Sequence, residues 1–326
     1  MKQLTLAIER YDRYLPFYDG TVKAPPGYDL RVLQVGATTP LRDGKGRNRR
    51  MLIDGEFDVC EFGLSAYLMA RDRGLPITAI PVFPRRLFSQ GAIYVHADSP
   101  YRQPRDLAGK RIAINSFQTS LSVLALGDLK FHYGVPWEDI VWCPTAEQIL
   151  GFPSERQPRI DPRCHGRRQA LGTMLENGEI DAFLLPRPPR QVVARQVAVR
   201  RLFADYKAAE QDYYRARCFY PIMHLIALRA ELVARDPEIA RAIYDMFCAA
   251  DAIARDYYSD PNWSRLAWGS LAHEEQIDVM GGDPWPMGLS ANRENLESFA
   301  RYSMDQGLTL NAGPVEDLFA PAVRGT

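Results

Sequence analysis

The chain has 326 residues, of which 46% are hydrophobic and 25% charged, a composition typical of a globular protein large enough for two domains. Lysine plus arginine and aspartate plus glutamate number 40 each, so the basic excess expected of a nucleic-acid-binding protein is missing, and no apolar run reaches the roughly 20 residues needed to span a membrane. The five cysteines are odd in number and form no CxxC pair, which argues against a disulfide framework or a zinc ribbon.

The first part of the chain alternates predicted strands and helices. The strands LTLAI (Leu4 to Ile8) and LRVLQV (Leu30 to Val35) precede an Arg-rich segment that we predict as a helix ending at Gly55. FDVCEF follows as a strand, and then comes a helix that begins near Leu64 and stops at Gly74, followed by the strands ITAIPVF and AIYVH. This alternation predicts an α/β fold with a parallel-rich sheet covered by helices.

A second block repeats the pattern. The strand RIAIN (Arg111 to Asn115) precedes a helix that is capped by Thr119 or Ser120 and stops at Gly134. The strand DIVWCP, the helix RRQALGTMLENG and the strand DAFLLP come next. After a polar, Tyr-rich stretch, IMHLIAL (Ile222 to Leu228) is predicted as a strand, and the rest of the chain as mainly helical.

Two such blocks followed by a helical tail predict two lobes. Lobe one would contain residues 1–95 and 223–326, and lobe two residues 96–222, with AIYVH and IMHLIAL as the two strands that cross between them. Ligands in folds of this kind bind in a crevice at strand carboxyl ends and helix N-termini, here between the lobes. Segment 151–168 is rich in Pro and Arg and lacks periodicity, so we predict a surface loop, long enough to be functional.

The N-terminus, MKQLTLAIERYDRY, does not have the pattern of an export signal. Its apolar run LTLAI is shorter than the about 7–15 residues of a signal-peptide core, and charged residues follow at once. We therefore expect LTLAI to be the first strand of the fold and the protein to be cytoplasmic.

Several strings along the chain carry a family resemblance. They are FDVCEFGLSAY, PVFPRRLFSQGAIYV, GEIDAFLLPRPP, PIMHLIALR and DPWPMGLSANRENLESFARYSMDQGL. Together they resemble the 4,5-dihydroxyphthalate decarboxylase family, which is similar to the substrate-binding components of ABC transporters. The resemblance covers nearly the whole chain and implies a two-lobed fold of the type 2 periplasmic-binding-protein kind. It also implies decarboxylation, without a cofactor, of a hydroxylated aromatic carboxylate such as 4,5-dihydroxyphthalate.

The chain departs from the family at one place. Where relatives have an Arg-His pair after the Phe of their FPxRxF string, this sequence has Ser89 and Gln90. The departure keeps open another lyase or dehydratase activity on the same scaffold. A second alternative is a solute-binding protein that captures a small anion without changing it.

Decarboxylation of a phenolic ring needs a group that moves protons and groups that bind carboxylates. His224, in the strand IMHLIAL, is the candidate general acid or base because its reference pKa lies near neutrality, although a lone His in an apolar strand also fits a core role. Glu61, which follows DVC and precedes the helix that begins near Leu64, is the second catalytic candidate, as an acceptor of a phenol proton. Arg86 and Arg187 each follow a strand and can pair with a carboxylate in a bidentate manner, and the alternative for both is a solvated arginine.

The remaining candidates lie at predicted helix N-termini and in or after predicted strands. Polar side chains at two predicted helix N-termini can help to bind an anion or serve as ordinary caps, and these are Ser65, Asn115, Ser116 and Thr119. Tyr94 is a candidate to stack on the ring of a substrate, although Tyr is common in strands. Asp12, with its neighbours Tyr11 and Arg13, follows the first strand.

The expected partner is a small anionic aromatic substrate, with neither nucleic acid nor membrane. Cys164 and His165 are adjacent and make a poor tetrahedral site, so we expect no metal. The oligomeric state stays open, with a homodimer as one candidate.

Overall fold

The structure is a computed structural model that describes all residues except 36–45, 154–157 and 312. The chain divides into two compact units, each with its own β-sheet. The first unit consists of Met1–Arg85, His224–Arg293 and Gly313–Thr326, and the second of Arg86–Met223 and Glu294–Ala312.

The regular elements follow one another in βα order through most of the chain. The strands are β1 (Lys2–Ile8), β2 (Tyr28–Gln34), β3 (Val59–Gly63), β4 (Ile77–Arg86), β5 (Ile93–His96), β6 (Arg111–Ile114), β7 (Val141–Pro144), β8 (Arg159–Ile160), β9 (Ala182–Leu184), β10 (Val199–Arg201) and β11 (Ile222–Arg229). The α-helices are α1 (Leu15–Tyr18), α2 (Arg47–Leu52), α3 (Leu64–Asp72), α4 (Ser120–Phe131), α5 (Leu171–Glu176), α6 (Arg190–Val193), α7 (Tyr206–Arg217), α8 (Ala230–Arg235), α9 (Ile239–Tyr257), α10 (Gly269–Met280) and α11 (Arg293–Asp305).

The sheet of the first unit has the order β2-β1-β3-β11-β4. β1 runs parallel to β2 and β3, whereas β11 runs antiparallel to β3. All five residues of β3 are buried, because β3 lies in the centre of the sheet. The exception to its apolar composition is Glu61, so the sheet carries a carboxylate at its centre.

The sheet of the second unit has the order β10-β5-β9-β6-β7-β8. β6 pairs in parallel with β7 and β9, and β5 pairs antiparallel with β9 and β10. An apolar core packs against it, and its largest members include Tyr94, Phe183, Met174 and Leu171. The predicted parallel-rich α/β architecture is therefore present as two mixed sheets.

The observed division differs from the expected lobe limits at two places. Residues 86–95 belong to the second unit, because β5 pairs entirely within the second sheet, so AIYVH is not a crossing strand. The chain passes between units at the end of β4 instead. Residues 294–312 also belong to the second unit, since Trp137 Nε1 donates to Asp305 and Gln306 Nε2 donates to the Val123 carbonyl, both at 2.8 Å.

Three local predictions also need adjustment. The Arg-rich helix ends at Leu52 rather than Gly55, and part of its predicted range lies outside the described residues. The polar, Tyr-rich stretch contains α7, which begins after the capping side chain of Asp205. Segment 151–168 contains β8 and a short helical turn, so it is not wholly irregular. Among the described residues, no helix is both long and apolar enough to cross a bilayer.

Candidate active site

Glu61 is the centre of a polar cluster in the first unit. Its side chain is 0% exposed and accepts hydrogen bonds on both oxygens. Oε2 accepts from the Glu9 backbone N–H at 3.0 Å and from Arg47 Nη1 at 3.1 Å. Oε1 lies 3.0 Å from the Tyr11 hydroxyl, 3.1 Å from Arg47 Nη2 and 2.5 Å from His224 Nδ1. A carboxylate buried in a sheet is tolerated here because donors saturate it.

His224 reaches Glu61 through the register of the two central strands. β11 pairs His224 with Gly63 and Ile226 with Glu61, so the side chains of His224 and Glu61 are diagonal neighbours on one face of the sheet. Because an ionised carboxylate can only accept, His224 Nδ1 carries the proton of their hydrogen bond. In the neutral ring Nε2 then has a lone pair, and no residue in the described part of the chain hydrogen-bonds to it. The side chain is 19% exposed.

Arg47 and Tyr11 complete the cluster from outside the sheet. Arg47 is the first residue of α2, its side chain is 11% exposed, and Nη1 also donates to the Val35 carbonyl at 2.8 Å. Tyr11 follows β1, and its ring lies under the guanidinium of Arg13, with 4.4 Å between the ring centroid and the Arg13 Cζ atom. Two chain segments that flank the sheet thus bring a cation and a hydroxyl to Glu61.

These contacts determine the charge of each group. Burial alone would raise the pKa of Glu61, but Arg47 and His224 outweigh it and bring that pKa well below its usual range. Burial lowers the pKa of His224 to about 4, the bond to Glu61 opposes this, and the charges of Arg47 and Arg85 add to it. Burial and the Glu61 charge raise the pKa of Tyr11. At neutral pH the cluster therefore contains a carboxylate, a guanidinium, a neutral phenol and a neutral imidazole.

A neutral imidazole whose Nδ1–H is fixed by a carboxylate is an arrangement suited to proton transfer. The carboxylate sets the tautomer and orientation of the ring and stabilises the imidazolium that forms when Nε2 takes a proton. The geometry gives His224 and Glu61 different roles. His224 presents a basic atom, whereas both oxygens of Glu61 are occupied.

That difference corrects the expected role of Glu61. We predicted that it accepts a phenol proton itself, but its oxygens are fully buried and bound by donors, so neither oxygen is open to a substrate. Ser65 is buried at the second position of α3, whose N-cap is Gly63 rather than Ser65. Asp12 bonds instead with Arg13 and with the hydroxyl of Tyr258. Substrate contacts by Ser65 and Asp12 stay predictions.

Three further candidates lie in the second unit. Arg86 is buried and donates Nη1 to the Tyr220 carbonyl at 2.8 Å. Arg187 is exposed after β9, where its carbonyl accepts a bond from Arg168. Tyr94 is buried in the apolar core and stacks on Phe183 with 4.9 Å between ring centroids, so we correct its assignment from ring contact to core packing.

The turn between β6 and α4 brings the other three predicted residues together. Asn115 Nδ2 donates to Thr119 Oγ1 at 3.0 Å, and the Ser116 hydroxyl lies 3.1 Å from the same oxygen. Thr119 is the N-cap of α4, but its side chain makes no capping bond to the helix backbone. The three side chains satisfy one another, so an anion-binding role for this turn stays a prediction.

The residues that depart from the family pattern are buried in the second unit. Ser89 Oγ donates to Asp128 Oδ2 at 2.6 Å, and Gln90 Nε2 donates to the Tyr133 hydroxyl at 2.9 Å. In this structure both side chains are therefore part of internal hydrogen-bond networks.

Two residues with largely buried ionisable side chains, Arg47 and Asp128, were not predicted from the sequence. Arg47 is one of three arginines in the string RNRR, and only its distance from Glu61 distinguishes it from the others. Asp128 is a fully buried carboxylate in the apolar helix α4. Its signal was readable, since a lone acidic residue between Gly127 and Leu129 in such a helix requires partners.

Comparisons with known proteins give the same family as the sequence strings that resemble the 4,5-dihydroxyphthalate decarboxylases. A family model described as NMT1/THI5 like matches residues 41–141. A 4,5-dihydroxyphthalate decarboxylase of Comamonas testosteroni is 29% identical over 331 residues, covering 98% of this chain and 97% of that protein. A protein of the same name from Pseudomonas putida is 28% identical over 222 residues, covering 65% of this chain and 81% of that protein.

Solved structures match the fold at low identity. The periplasmic aliphatic sulphonate binding protein SsuA of Escherichia coli has a TM-score of 0.59 and 14% identity, covering 100% of both chains. The desulfurization enzyme DSZB has a TM-score of 0.56 and 14% identity, covering 100% of this chain and 98% of that one. Thus both a binding protein and an enzyme have this fold. The comparisons confirm the resemblance of this chain to the 4,5-dihydroxyphthalate decarboxylases, on a fold of the periplasmic-binding-protein type.

Proposed function

We propose that this protein is a carboxy-lyase that removes CO2 from a hydroxylated aromatic carboxylate such as 4,5-dihydroxyphthalate, with His224 as its proton-transferring residue. The observation that carries the proposal is the pairing of His224 Nδ1 with the buried carboxylate of Glu61 at 2.5 Å, which leaves Nε2 available as a base. Similarity over 98% of the chain to a protein named 4,5-dihydroxyphthalate decarboxylase supports the choice of reaction and substrate class.

The chemistry follows from the substrate class. Each carboxylate of 4,5-dihydroxyphthalate has a hydroxyl para to it, and neutral His224 Nε2 takes the proton of that hydroxyl. The phenolate raises the electron density of the ring carbon that bears the carboxylate, and that carbon takes a proton from solvent. The bond to the carboxylate then breaks, its electron pair restores the aromatic ring, CO2 leaves, and the imidazolium returns its proton to the phenolate oxygen.

Arg85 is the residue that we propose to bind the departing carboxylate. Sequence reasoning preferred Arg86, but Arg86 is buried against the Tyr220 carbonyl, whereas Arg85 is half-buried and its charge acts on both His224 and Tyr11. None of the ion pairs between described residues involves Arg85, so its guanidinium is available to an anion. The polar turn at Asn115, Ser116 and Thr119 and the exposed Arg187 stay predictions of substrate contact.

One experiment tests the reaction directly. Purified protein is incubated with 4,5-dihydroxyphthalate in D2O without added metal or cofactor, and CO2 and ring products are measured by mass spectrometry. The expected product is the dihydroxybenzoate with one deuterium at the vacated ring carbon, in equal amount to CO2. Absence of turnover with this compound and with its monocarboxylate analogues contradicts the proposal.

The alternative of a solute-binding protein is favoured by the likeness of the fold to SsuA. Calorimetry and mass spectrometry on the same samples distinguish a binding protein from an enzyme. A binding protein gives a binding signal with the aromatic acid, and the acid is then recovered unchanged. A product that retains both carboxylates indicates the other lyase or dehydratase activity. The expected cytoplasmic location stays a prediction, which cell fractionation tests.

A further inference from the structure

Arg47 contacts both members of the pair formed by Glu61 and His224. Its two terminal nitrogens lie 3.1 Å from the two oxygens of Glu61, one on each. Nη2 also lies 3.4 Å from His224 Nδ1, and Nη1 donates to the Val35 carbonyl, which fixes the guanidinium in place. The residue begins α2, and the Asn48 side chain beside it accepts a bond from the Gly63 N–H of the sheet.

A guanidinium in this position has a definite electrostatic effect. Arginine does not lose its proton in proteins, and its planar fork matches a carboxylate in a bidentate manner. The positive charge of Arg47 therefore compensates Glu61 at all accessible pH values. Without it, the uncompensated carboxylate would attract a proton to the nearest acceptor, which is the imidazole of His224.

The groups that face His224 come from four segments. Glu61 of β3 attracts a proton to the ring, whereas Arg47 of α2 and Arg85 of β4 oppose it. Tyr11, after β1, contributes a hydroxyl that donates to Glu61 and stays neutral. Of the two cations, Arg47 is the one with hydrogen-bond contact to the carboxylate, so we expect it to have the larger influence.

We infer that Arg47 is a positioning residue for the acid–base step: its two-pronged contact with Glu61 keeps His224 neutral, with Nδ1–H on the carboxylate and Nε2 as the base. The inference rests on the proposed function only for its effect on turnover. The protonation state of His224 can be measured without any substrate.

The test follows the His224 ring by NMR after labelling the histidines with 15N, and the loss of one signal in His224→Gln assigns it. In the parent protein we expect a neutral ring down to about pH 5, with the proton on Nδ1. In Arg47→Met we expect the His224 titration to move upward by about one to three pH units. Arg47→Lys keeps the positive charge, so His224 should titrate close to its pH in the parent. Arg49→Met removes an exposed arginine from the same helix and should leave the titration unchanged.

The inference is overturned if His224 titrates at the same pH in Arg47→Met as in the parent, or if Arg49→Met moves it equally. If Arg47→Met does not fold, Arg47→Gln takes its place, since it removes the charge and retains hydrogen-bond donors. His224 should then titrate higher in Arg47→Gln than in Arg47→Lys, and equal values also contradict the inference. Failure of the proposed decarboxylation is a separate result, because it leaves these titrations unaffected.

Discussion

Each unit contains a buried carboxylate that accepts several hydrogen bonds, Glu61 in the first and Asp128 in the second, and the donors to these two carboxylates differ. Glu61 in the first sheet bonds with a guanidinium, an imidazole, a phenol and a backbone amide. Within the part of the chain that the structure describes, the donors to the Asp128 carboxylate in α4 are neutral hydroxyls. The hydroxyl oxygens of Ser89, Tyr213 and Tyr302 lie 2.6, 2.9 and 3.4 Å from the carboxylate oxygens of Asp128.

This difference in partners reverses the effect of burial on the pKa. Cationic and imidazole partners bring the pKa of Glu61 below its usual range, whereas burial raises the pKa of Asp128 to about 7 despite its hydroxyl donors. Asp128 connects α4 with α7 and α11, and none of its hydrogen bonds within the described residues is to an imidazole, whereas Glu61 has such a bond with His224. A buried carboxylate therefore indicates a site only when it orients a second group that can react.

The largest expected effect is on turnover. Replacing the base in His224→Gln should lower kcat by about 10²–10⁴-fold, the usual contribution of general acid–base catalysis. Asp128→Asn is the matched change in the other cluster and should leave kcat within a few-fold of the parent. Steady-state kinetics on folded samples, checked by circular dichroism, measures both. Equal losses in the two variants would show that the clusters do not differ in function.

Asp128→Asn should instead change the pH dependence of stability. The carboxyl group has a pKa of about 7 in the folded protein and 3.8 unfolded, so the folded state binds the proton more tightly. Stability is then lost as pH rises from about 4 to 7, by on the order of 4 kcal/mol. Urea unfolding of both proteins across this range should show the loss in their difference: the free energy of unfolding of Asp128→Asn relative to the parent rises by about this amount between pH 4 and 7.

The control for this measurement is Asp212→Asn, which changes an exposed carboxylate on α7. It should retain the slope of the parent. If Asp128→Asn also retains the slope, the assignment of a raised pKa to Asp128 is wrong.

His224 should contribute a pH dependence of opposite sign. Its pKa is about 4 in the folded protein and 6.5 in the unfolded chain, so between these pH values the unfolded chain binds a proton that the folded protein does not bind. Stability is lost as pH falls from 6.5 to 4, by roughly 3 kcal/mol. His224→Gln should lack this contribution, so its free energy of unfolding should rise relative to the parent as pH falls from 6.5 to 4, whereas His165→Gln, at an exposed position, should follow the parent. A pH dependence in His224→Gln equal to that of the parent would indicate that another group is responsible.

The sequence predicted the elements of the first sheet better than their contacts. The alternating pattern placed β1, β2 and β3 correctly, and both His224 and Glu61 were singled out by residue type and position. Their pairing was not predictable, because it depends on β11 lying beside β3 although the two residues are 163 positions apart in the chain. Strand order of this kind is decided by tertiary packing rather than by local pattern.

The mistakes in the second unit have a related origin. Tyr94 was predicted to stack on a substrate ring because a strand pattern does not show which face of the strand is covered by other residues. In the structure, Phe183 stacks on the Tyr94 ring. AIYVH was predicted to cross between units because it follows ITAIPVF directly. Its pairing with β9 and β10, which come about 90 to 100 residues later, places it in the second sheet instead.

The smallest expected effect compares one phenol from each cluster. Tyr11→Phe removes a hydroxyl 3.0 Å from the charged oxygen of Glu61, and we expect a loss of about 1.5 kcal/mol in the free energy of unfolding, as for bonds to ionised groups. Tyr302→Phe removes a hydroxyl 3.4 Å from Asp128, where the bond is longer and the carboxyl group is partly protonated near neutral pH, so we expect about 0.5 kcal/mol. Urea unfolding at pH 7 measures both. A greater loss in Tyr302→Phe would mean that the hydroxyls around Asp128 stabilise the fold more strongly than those around a permanent charge.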